Sequence, residues 1–406
     1  MSGGSLRRVW MIDPINYTGL AYSDAGLCTA LQAQGIETTL AGSEGWLLPQ
    51  WPTPFKRIDI FRGTHGSRSV AAKGTAYLRS LVRLLTQIRR AMPDVVHWQF
   101  FELPPADYLA VRILRRWGIP QVYTAHEVLP WDDRSYNRLV FRRMFKSVDG
   151  IIAHNRREAL RLVEEFGVAR QRVNVIVLGN YDLFTTPDRP QPLARRQLGL
   201  PLDAPIALFF GSIRASKGLE VLLAAWARVV EQLPNALLAV VGKPYKRLDT
   251  SHYLSAIREL GIQERVVVRF EQVDPDTTNN YYRAADVVVL PYHDIATSGV
   301  LRYAYSSARA VVATAVGEHT DWVIPGETGS LVPPRNPEAI AGAVISLLGD
   351  RPRAEQIGRS AMAYGRANFD WNTSAVRTVA FYARVASRDR PHLAGCAMQP
   401  DPDGEE

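Results

Sequence analysis

Arg214 and Lys217 stand three positions apart in the stretch Phe209-Phe210-Gly211-Ser212-Ile213-Arg214-Ala215-Ser216-Lys217-Gly218. Ahead of them an apolar run, Ala207 to Phe210, reads as a buried strand. Behind them a helical pattern starts at Leu219. Gly211 lets the main chain turn tightly and come close to a ligand. The first turn of the helix offers free N–H groups and the positive end of its dipole. Two cations beside such a turn suit a phosphate. Together these residues make a cradle for a diphosphate. The same residues also fit an ordinary strand-to-helix turn with two solvated bases.

Three further loops follow strands in the same half. Gly242-Lys243-Pro244 follows the strand pattern ending at Val241, and Pro291 to Val300 follows Val287 to Leu290. Gly317-Glu318-His319-Thr320-Asp321 follows Val311 to Thr314. The Ser298-Gly299-Val300 turn opens a helix, so its N–H groups can hold a second face of a diphosphate. One such loop carries little weight. Four in order at one sheet edge carry much more.

The elements that must position these loops alternate strand and helix along the chain. In the first half, strands are expected at 8–12, 37–41, 95–99, 121–124, 150–153 and 173–177, with helices between them. A break follows at 185–192 (TTPDRPQP), polar and proline-rich, which reads as an interdomain linker. Strands then recur at 206–210, 236–241, 266–270, 287–290, 310–314 and 329–332. This order implies an α/β protein with two doubly wound, Rossmann-like domains facing a cleft, ligands lying beyond the carboxyl ends of the strands. The expected boundaries are 1–184 for the first domain, 185–193 for the linker and 194–368 for the second domain. A closing helix over 369–390 and a disordered tail over 391–406 complete the chain.

Composition narrows the class. A chain of 406 residues exceeds one typical core. With 47% apolar and 22% charged residues it is globular rather than disordered. No stretch approaches the ~20 apolar residues of a membrane span. The N-terminal MSGGSLRRVW lacks the apolar segment of a secretory signal. Two distant cysteines, Cys28 and Cys396, imply no disulfide framework, so a reducing cytoplasm is the expected compartment. The net charge of +8 gathers in the first half. Lys73 to Arg90 is helical in period with arginines opposite leucines. Arg112, Arg115 and Arg116, then Arg138, Arg142, Arg143 and Lys146, extend the basic surface. Such helices either lie peripherally on the anionic inner face of a membrane or are core helices with solvated basic faces. No nucleic-acid recognition motif accompanies them, and nucleic acid is not an expected partner.

The second half resembles the retaining glycosyltransferases of family four, which have the GT-B fold. FFGSIRASKGLEVLLAAW is similar to their donor-phosphate motif, and YYRAADVVVLPYHDIATSGVLRYAYSSARAVVATAVGEHTDWVIPGETGSLV to the rest of their nucleotide-sugar domain. The first half resembles them by pattern, with Gly19 near a first helix, then DVVHWQF and YTAHEVLPWDD. The resemblance implies that Arg214 and Lys217 bind and neutralise the donor diphosphate. Gly211, Gly242 and the backbone of Ser298, Gly299 and Val300 complete the donor site. His126 falls where the family often places a histidine near the transferred sugar, which makes it a catalytic candidate with Arg214 and Lys217; a loop histidine packed beside its strand is the other reading. Glu127 and Gly19 are candidates for the acceptor side. His97 reads as a core residue and His154 as a strand-end residue near the cleft.

Departures from the family pattern are informative. Many members carry two glutamates after the strand ending in Pro291-Tyr292. Here the segment from His293 to Tyr303 holds none, and Asp294 is its only carboxylate. Ser212 replaces a usual arginine, with Arg214 expected to take over, and Asp321 stands where a glutamate is common. The chain has neither an Asp-x-Asp donor motif nor clustered His and Cys ligands, so no metal and no cofactor is expected. The resemblance implies transfer of a hexose from a nucleotide sugar to a glycan or lipid-linked acceptor, with retention, in the making of a cell-surface polysaccharide. The missing glutamate pair keeps open a non-catalytic nucleotide-sugar or glycan-binding relative.

Overall fold

The computed structural model describes residues 6–128, 135–245 and 248–387. The expected tail, 391–406, lies outside the described residues. Two parallel sheets carry the chain. The first runs β1 (Arg8–Asp13), β2 (Glu37–Ser43), β3 (Lys56–Phe61), β4 (Val95–Trp98), β5 (Gln121–Ala125), β6 (Gly150–Ala153) and β7 (Val173–Val175), in the order β3-β2-β1-β4-β5-β6-β7. The second runs β8 (Ile206–Phe210), β9 (Leu237–Val241), β10 (Val266–Arg269), β11 (Val287–Leu290), β12 (Ala310–Thr314) and β13 (Gly329–Val332), ordered β10-β9-β8-β11-β12-β13. The order reverses at β1 and β4 in one sheet and at β8 and β11 in the other. Those switch points are where loops at the carboxyl ends part and leave a crevice.

Helices join the strands. In the first half these are α1 (Leu20–Ala33), α2 (Val70–Ala91), α3 (Pro104–Arg116), α4 (Ser135–Ser147) and α5 (Arg156–Glu164). In the second they are α6 (Gln191–Leu198), α7 (Leu219–Gln232), α8 (Ser251–Glu259), α9 (Pro275–Ala284), α10 (Gly299–Ser306), α11 (His319–Trp322), α12 (Pro337–Leu348), α13 (Arg351–Asn368) and α14 (Trp371–Ser387).

Successive side chains of a strand point to opposite faces, and both faces here are covered. Val9 and Met11 of β1 therefore join one core, and Trp10 and Ile12 another under α2 to α5. In β8, Ile206 and Leu208 face the core that Val9 and Met11 share, while Ala207 and Phe209 pack beneath α7 and α12. One apolar cluster thus runs from the first domain into the second. α14 seals it, packing on α1 of the first domain. Its Tyr382 hydroxyl reaches His97 Nδ1 on β4 at 2.6 Å.

Two elements depart from the sequence reading. β3 lies at a sheet edge and alternates charge with apolar residues (KRIDIF), so it lacks the continuous apolar run of a central strand. The proline-rich break is docked chain rather than a free tether. Thr186 donates its N–H to Asn279 at 3.2 Å, Arg189 pairs with Asp276 at 2.8 Å, and α6 begins within the break at Gln191. Proline suits that first turn, where no N–H is needed. Arg195 of α6 is fully buried and holds Asp286 at 2.9 Å.

Candidate functional site

The loops at the carboxyl ends of the two sheets enclose a cavity of about 560 Å³. Its second-domain wall is built on close approach of backbone. A Cβ added at Gly242 would lie 1.7 Å from the Gly211 carbonyl oxygen, so the ends of β8 and β9 accept no side chain there. Ile213 donates its N–H to the Lys243 carbonyl at 2.9 Å and fixes the next turn. Gly218 takes φ +66° at the start of α7, where a Cβ would meet the Pro291 carbonyl at 2.0 Å. This packing turns Arg214 and Lys217 into the cavity that Gly211 and Gly242 also line.

Lys217 is only 6% exposed, and its Nζ lies 3.5 Å from the centre of the Tyr292 ring. Burial holds its amine well below the usual lysine range, Arg214 pushes the same way, and Glu127 and Glu318 oppose them. Burial lowers Arg214 too, against the pull of Glu127. Two cations are thus held with little water around them. Removing two such charges from solvent is costly, and Glu127 and Glu318 are carboxylates that oppose them; an anionic ligand would add to that counter-charge.

The α10 N-terminus faces the same space. Ser298 caps the helix, its Oγ accepting the Leu301 N–H at 3.2 Å. Its own N–H is already given to a Glu318 carboxylate oxygen. The backbone contact expected from Ser298 is therefore corrected: that donor is spent inside the protein. The N–H groups of Gly299 and Val300 have no hydrogen-bond partner among the described residues, and both residues line the cavity. Asp294 also departs from expectation. It is well exposed, pairs with Arg157 at 3.4 Å, and is not among the residues lining the cavity.

Glu318 escaped the sequence reading, which weighed Asp321 in the same loop. Asp321 is exposed, whereas Glu318 is buried and bonded to Arg302. Arg302 Nε also donates to the Leu178 carbonyl of the first domain at 3.1 Å. Six tyrosines were missed as well, Tyr17 and Tyr245 among them. Tyr22 and Tyr181 from the first half and Tyr282 and Tyr303 from the second line the cavity, with Tyr282 and Tyr303 stacked at 4.3 Å. A strand or helix tyrosine carries no sequence mark separating core from cavity.

The first-domain wall includes Gly19, His126 and Glu127. Gly19 caps α1, and a Cβ added there would meet nothing within 4 Å, so no steric need for glycine exists in this state. His126 and Glu127 follow β5. Hydrogen bonding fixes the His126 ring. The Ile176 carbonyl lies 3.0 Å from His154 Nδ1, which must therefore carry the proton. His154 Nε2 is then an acceptor, and His126 Nδ1, 3.1 Å away, donates to it. That leaves a lone pair on His126 Nε2, where Gln99 Oε1 stands at 3.0 Å; turning the amide end for end puts its NH₂ group there instead. Burial holds His126 well below the usual histidine range, with His154 and His97 adding to it, so the ring is neutral. A neutral ring needs the amide's NH₂ group on that side. Both ring nitrogens of His126 are thereby engaged by protein. His97 is wholly buried between Tyr382 and Thr124, a core residue as the sequence indicates.

The two walls touch. Gln272 donates to the Tyr17 carbonyl at 2.8 Å, Asn155 to the Ala296 carbonyl at 2.8 Å, and Arg214 lies 3.8 Å from Glu127. Outside the cleft, α2, α3 and α4 lie side by side over one core. They leave Leu78, Val82, Leu109 and Leu139 exposed among Arg79, Arg83, Arg112, Arg142 and Arg143. No helix among the described residues is long and apolar enough to cross a membrane.

Comparison with known proteins agrees with this architecture. The family model described as Glycosyltransferase Family 4 matches residues 18–179, and that described as Glycosyl transferases group 1 matches 204–350. The chain is 32% identical over 312 residues to D-inositol 3-phosphate glycosyltransferase of Corynebacterium diphtheriae, covering 73% of this chain and 72% of that protein. It is 31% identical over 312 residues to the protein of the same name from Xylanimonas cellulosilytica, covering 73% of each. Among solved structures, sucrose-phosphate synthase from Thermosynechococcus elongatus superimposes with TM-score 0.75 at 21% identity, over 94% of this chain and 100% of that one. Anabaena Alr3699/HepE in complex with UDP-glucose gives 0.73 at 18%, over 92% and 98%. The fold is GT-B, and the chain belongs to the family 4 glycosyltransferases.

Proposed function

We propose that this glycosyltransferase moves a hexose, with retention and without a metal ion, from a nucleotide-sugar donor to a glycan or lipid-linked acceptor in cell-surface polysaccharide biosynthesis. The observation that carries the reading is the pair Arg214 and Lys217, held in a cavity wall with the Gly299 and Val300 N–H groups, which have no partner among the described residues. Leaving of the sugar puts negative charge on the diphosphate while the anomeric carbon becomes oxocarbenium-like. Donors fixed in advance where that charge grows lower the barrier. Two cations and two backbone donors suffice to take the neutralising role a metal ion fills elsewhere. The acceptor hydroxyl would attack from the face the diphosphate leaves. Closure of the two domains would keep water out.

The UDP-glucose complex of Alr3699/HepE supports a nucleotide-sugar donor. The names of the relatives favour an enzyme over a non-catalytic binding protein. With both His126 nitrogens engaged, we assign that ring to shaping the sugar pocket, with Gly19 beside it on the acceptor side, and not to relaying a proton. The arginines and exposed leucines of α2 to α4 suit an anionic membrane surface that presents the acceptor. The relatives' names, D-inositol 3-phosphate glycosyltransferase, raise a phosphorylated acceptor, and Lys243 is a further cation lining the cavity.

The test is nucleotide release from UDP-, GDP- and ADP-sugars by the wild type and by the Arg214→Ala/Lys217→Ala double variant, with acceptor present and with and without EDTA. Release that depends on both cations and survives EDTA supports the reading. Equal release from both proteins would defeat it.

A further inference from the structure

We propose that Glu127 is the cleft's own stand-in for the donor diphosphate, and that it takes up a proton from solvent when a diphosphate binds. The inference rests on the donor reading above and adds to it the protonation of one named side chain.

Glu127 comes from the first domain, just after β5, and Arg214 from the second, just after β8. Their charged groups meet across the cleft at 3.8 Å, and both residues line the cavity with Lys217. The carboxylate thus occupies the electrostatic position a diphosphate needs. When two cations already face one carboxylate, an arriving diphosphate brings two or more negative charges to the same place. Two anions crowded against the same cations in a poorly hydrated site cannot both stay fully charged. The diphosphate has the stronger claim, since it carries more charge and more acceptor atoms.

The surroundings of Glu127 point the same way. Arg214 and Lys217 favour its charged form. Glu158 on α5 and Asp294 after β11 disfavour it, as burial does. Tyr123 on β5 and Tyr245 after β9 also feel its charge. The balance leaves its carboxyl pushed up to about 7, with burial first among the causes. Once a bound anion engages the two cations, what holds the carboxylate charged is withdrawn and a repulsive neighbour is added. The neutral acid then has an O–H to donate to an oxygen in the cleft. By linkage, the diphosphate binds more tightly as pH falls.

The experiment is isothermal titration of UDP into the full chain at about pH 8 in buffers of different ionisation enthalpy. At that pH the ligand's own last phosphate ionisation, near 6, is complete and contributes no proton. The wild type is expected to take up close to one proton per UDP bound. Its dissociation constant should rise toward tenfold per pH unit between about pH 7.5 and 9. Glu127→Gln should bind UDP with no uptake and a flat profile. The same readings on Glu127→Ala guard against a folding failure of the amide. No uptake by the wild type overturns the proposal. So does equal uptake by the wild type and both variants, which would place the proton on Lys217. UDP binding without uptake leaves the donor reading intact. No binding of any nucleoside diphosphate sinks that reading and this proposal with it.

Discussion

Arg302 meets Glu318 through both carboxylate oxygens, at 2.8 and 3.1 Å, and neither side chain is exposed to solvent. The pair joins three parts of the molecule. Glu318 holds the Ser298 N–H, Arg302 holds the Ser298 and Leu178 carbonyls, and the guanidinium lies 4.7 Å from the Phe369 ring centre. The mouth of α10, the first domain and the segment before α14 therefore share one anchor.

Removing one partner strands the other. Arg302→Leu leaves Glu318 buried without its counter-charge, and a loss of about 3–5 kcal/mol is expected. Urea unfolding midpoints of variant and wild type check this. An unchanged midpoint would mean that the pair is not the anchor its burial implies.

The cations divide differently. Lys217→Ala and Arg214→Ala each should lower turnover by about 10²- to 10³-fold, the usual effect of losing one preorganised charge-stabilising donor, with the melting temperature little changed. Steady-state nucleotide release checks it. A change in KM alone would assign them to binding rather than to the developing charge.

Gly242→Ala should abolish donor binding while sparing the first domain. Its Cβ would need the Gly211 carbonyl to move from 1.7 Å, which displaces the turn carrying Arg214. UDP titration is the check, and wild-type affinity in the alanine variant would refute the close-approach argument.

The His126 ring should stay neutral from about pH 6 to 8, with its proton on Nδ1. Burial and the neighbouring His154 and His97 lower it. Nitrogen-15 chemical shifts of the ring report the tautomer directly. In Gln99→Leu the Nε2 lone pair loses its partner, and the Nε2 shift should move while the Nδ1 bond to His154 persists. A ring that titrates within that range would overturn the hydrogen-bond assignment.

Asp13 and Asp24 are both buried, and burial raises both, Asp13 to about 6 and Asp24 well above the carboxylate range. The folded state thus holds protons that the unfolded chain, with carboxyls near 3.9, releases earlier. The stabilising contribution is complete below about pH 4 and is lost as pH rises through about 6 and beyond. Asp24→Asn should therefore gain stability relative to wild type at pH 8 and little at pH 4. Parallel unfolding midpoints at both values decide it.

Much of this was legible in the chain itself. Alternating apolar runs and glycine turns mark both sheets, because strands buried on two faces must be apolar throughout, and β8 and β11 are. The turn from Gly211 to Gly218 announces its cations because glycine, charge and helix start are all local. What escaped depends on contacts between distant residues. Nothing near Ser298 in sequence reveals that Glu318, twenty positions on, takes its N–H. Nothing near His126 reveals that His154 and Gln99 engage its two nitrogens. β3 escaped because an edge strand may be charged, and α6 because prolines that end a helix elsewhere are welcome in its first turn.

The hydrogen bond from Tyr382 to His97 joins positions 285 apart. α14 also covers β6, where Phe381 leaves no room for a side chain at Gly150. The N-terminal lobe is therefore unfinished until a segment made after the whole C-terminal lobe returns to it. During synthesis the seven-stranded lobe must wait with one flank bare, and cutting the chain near Phe369 would deprive the early lobe, rather than the late one, of its final layer.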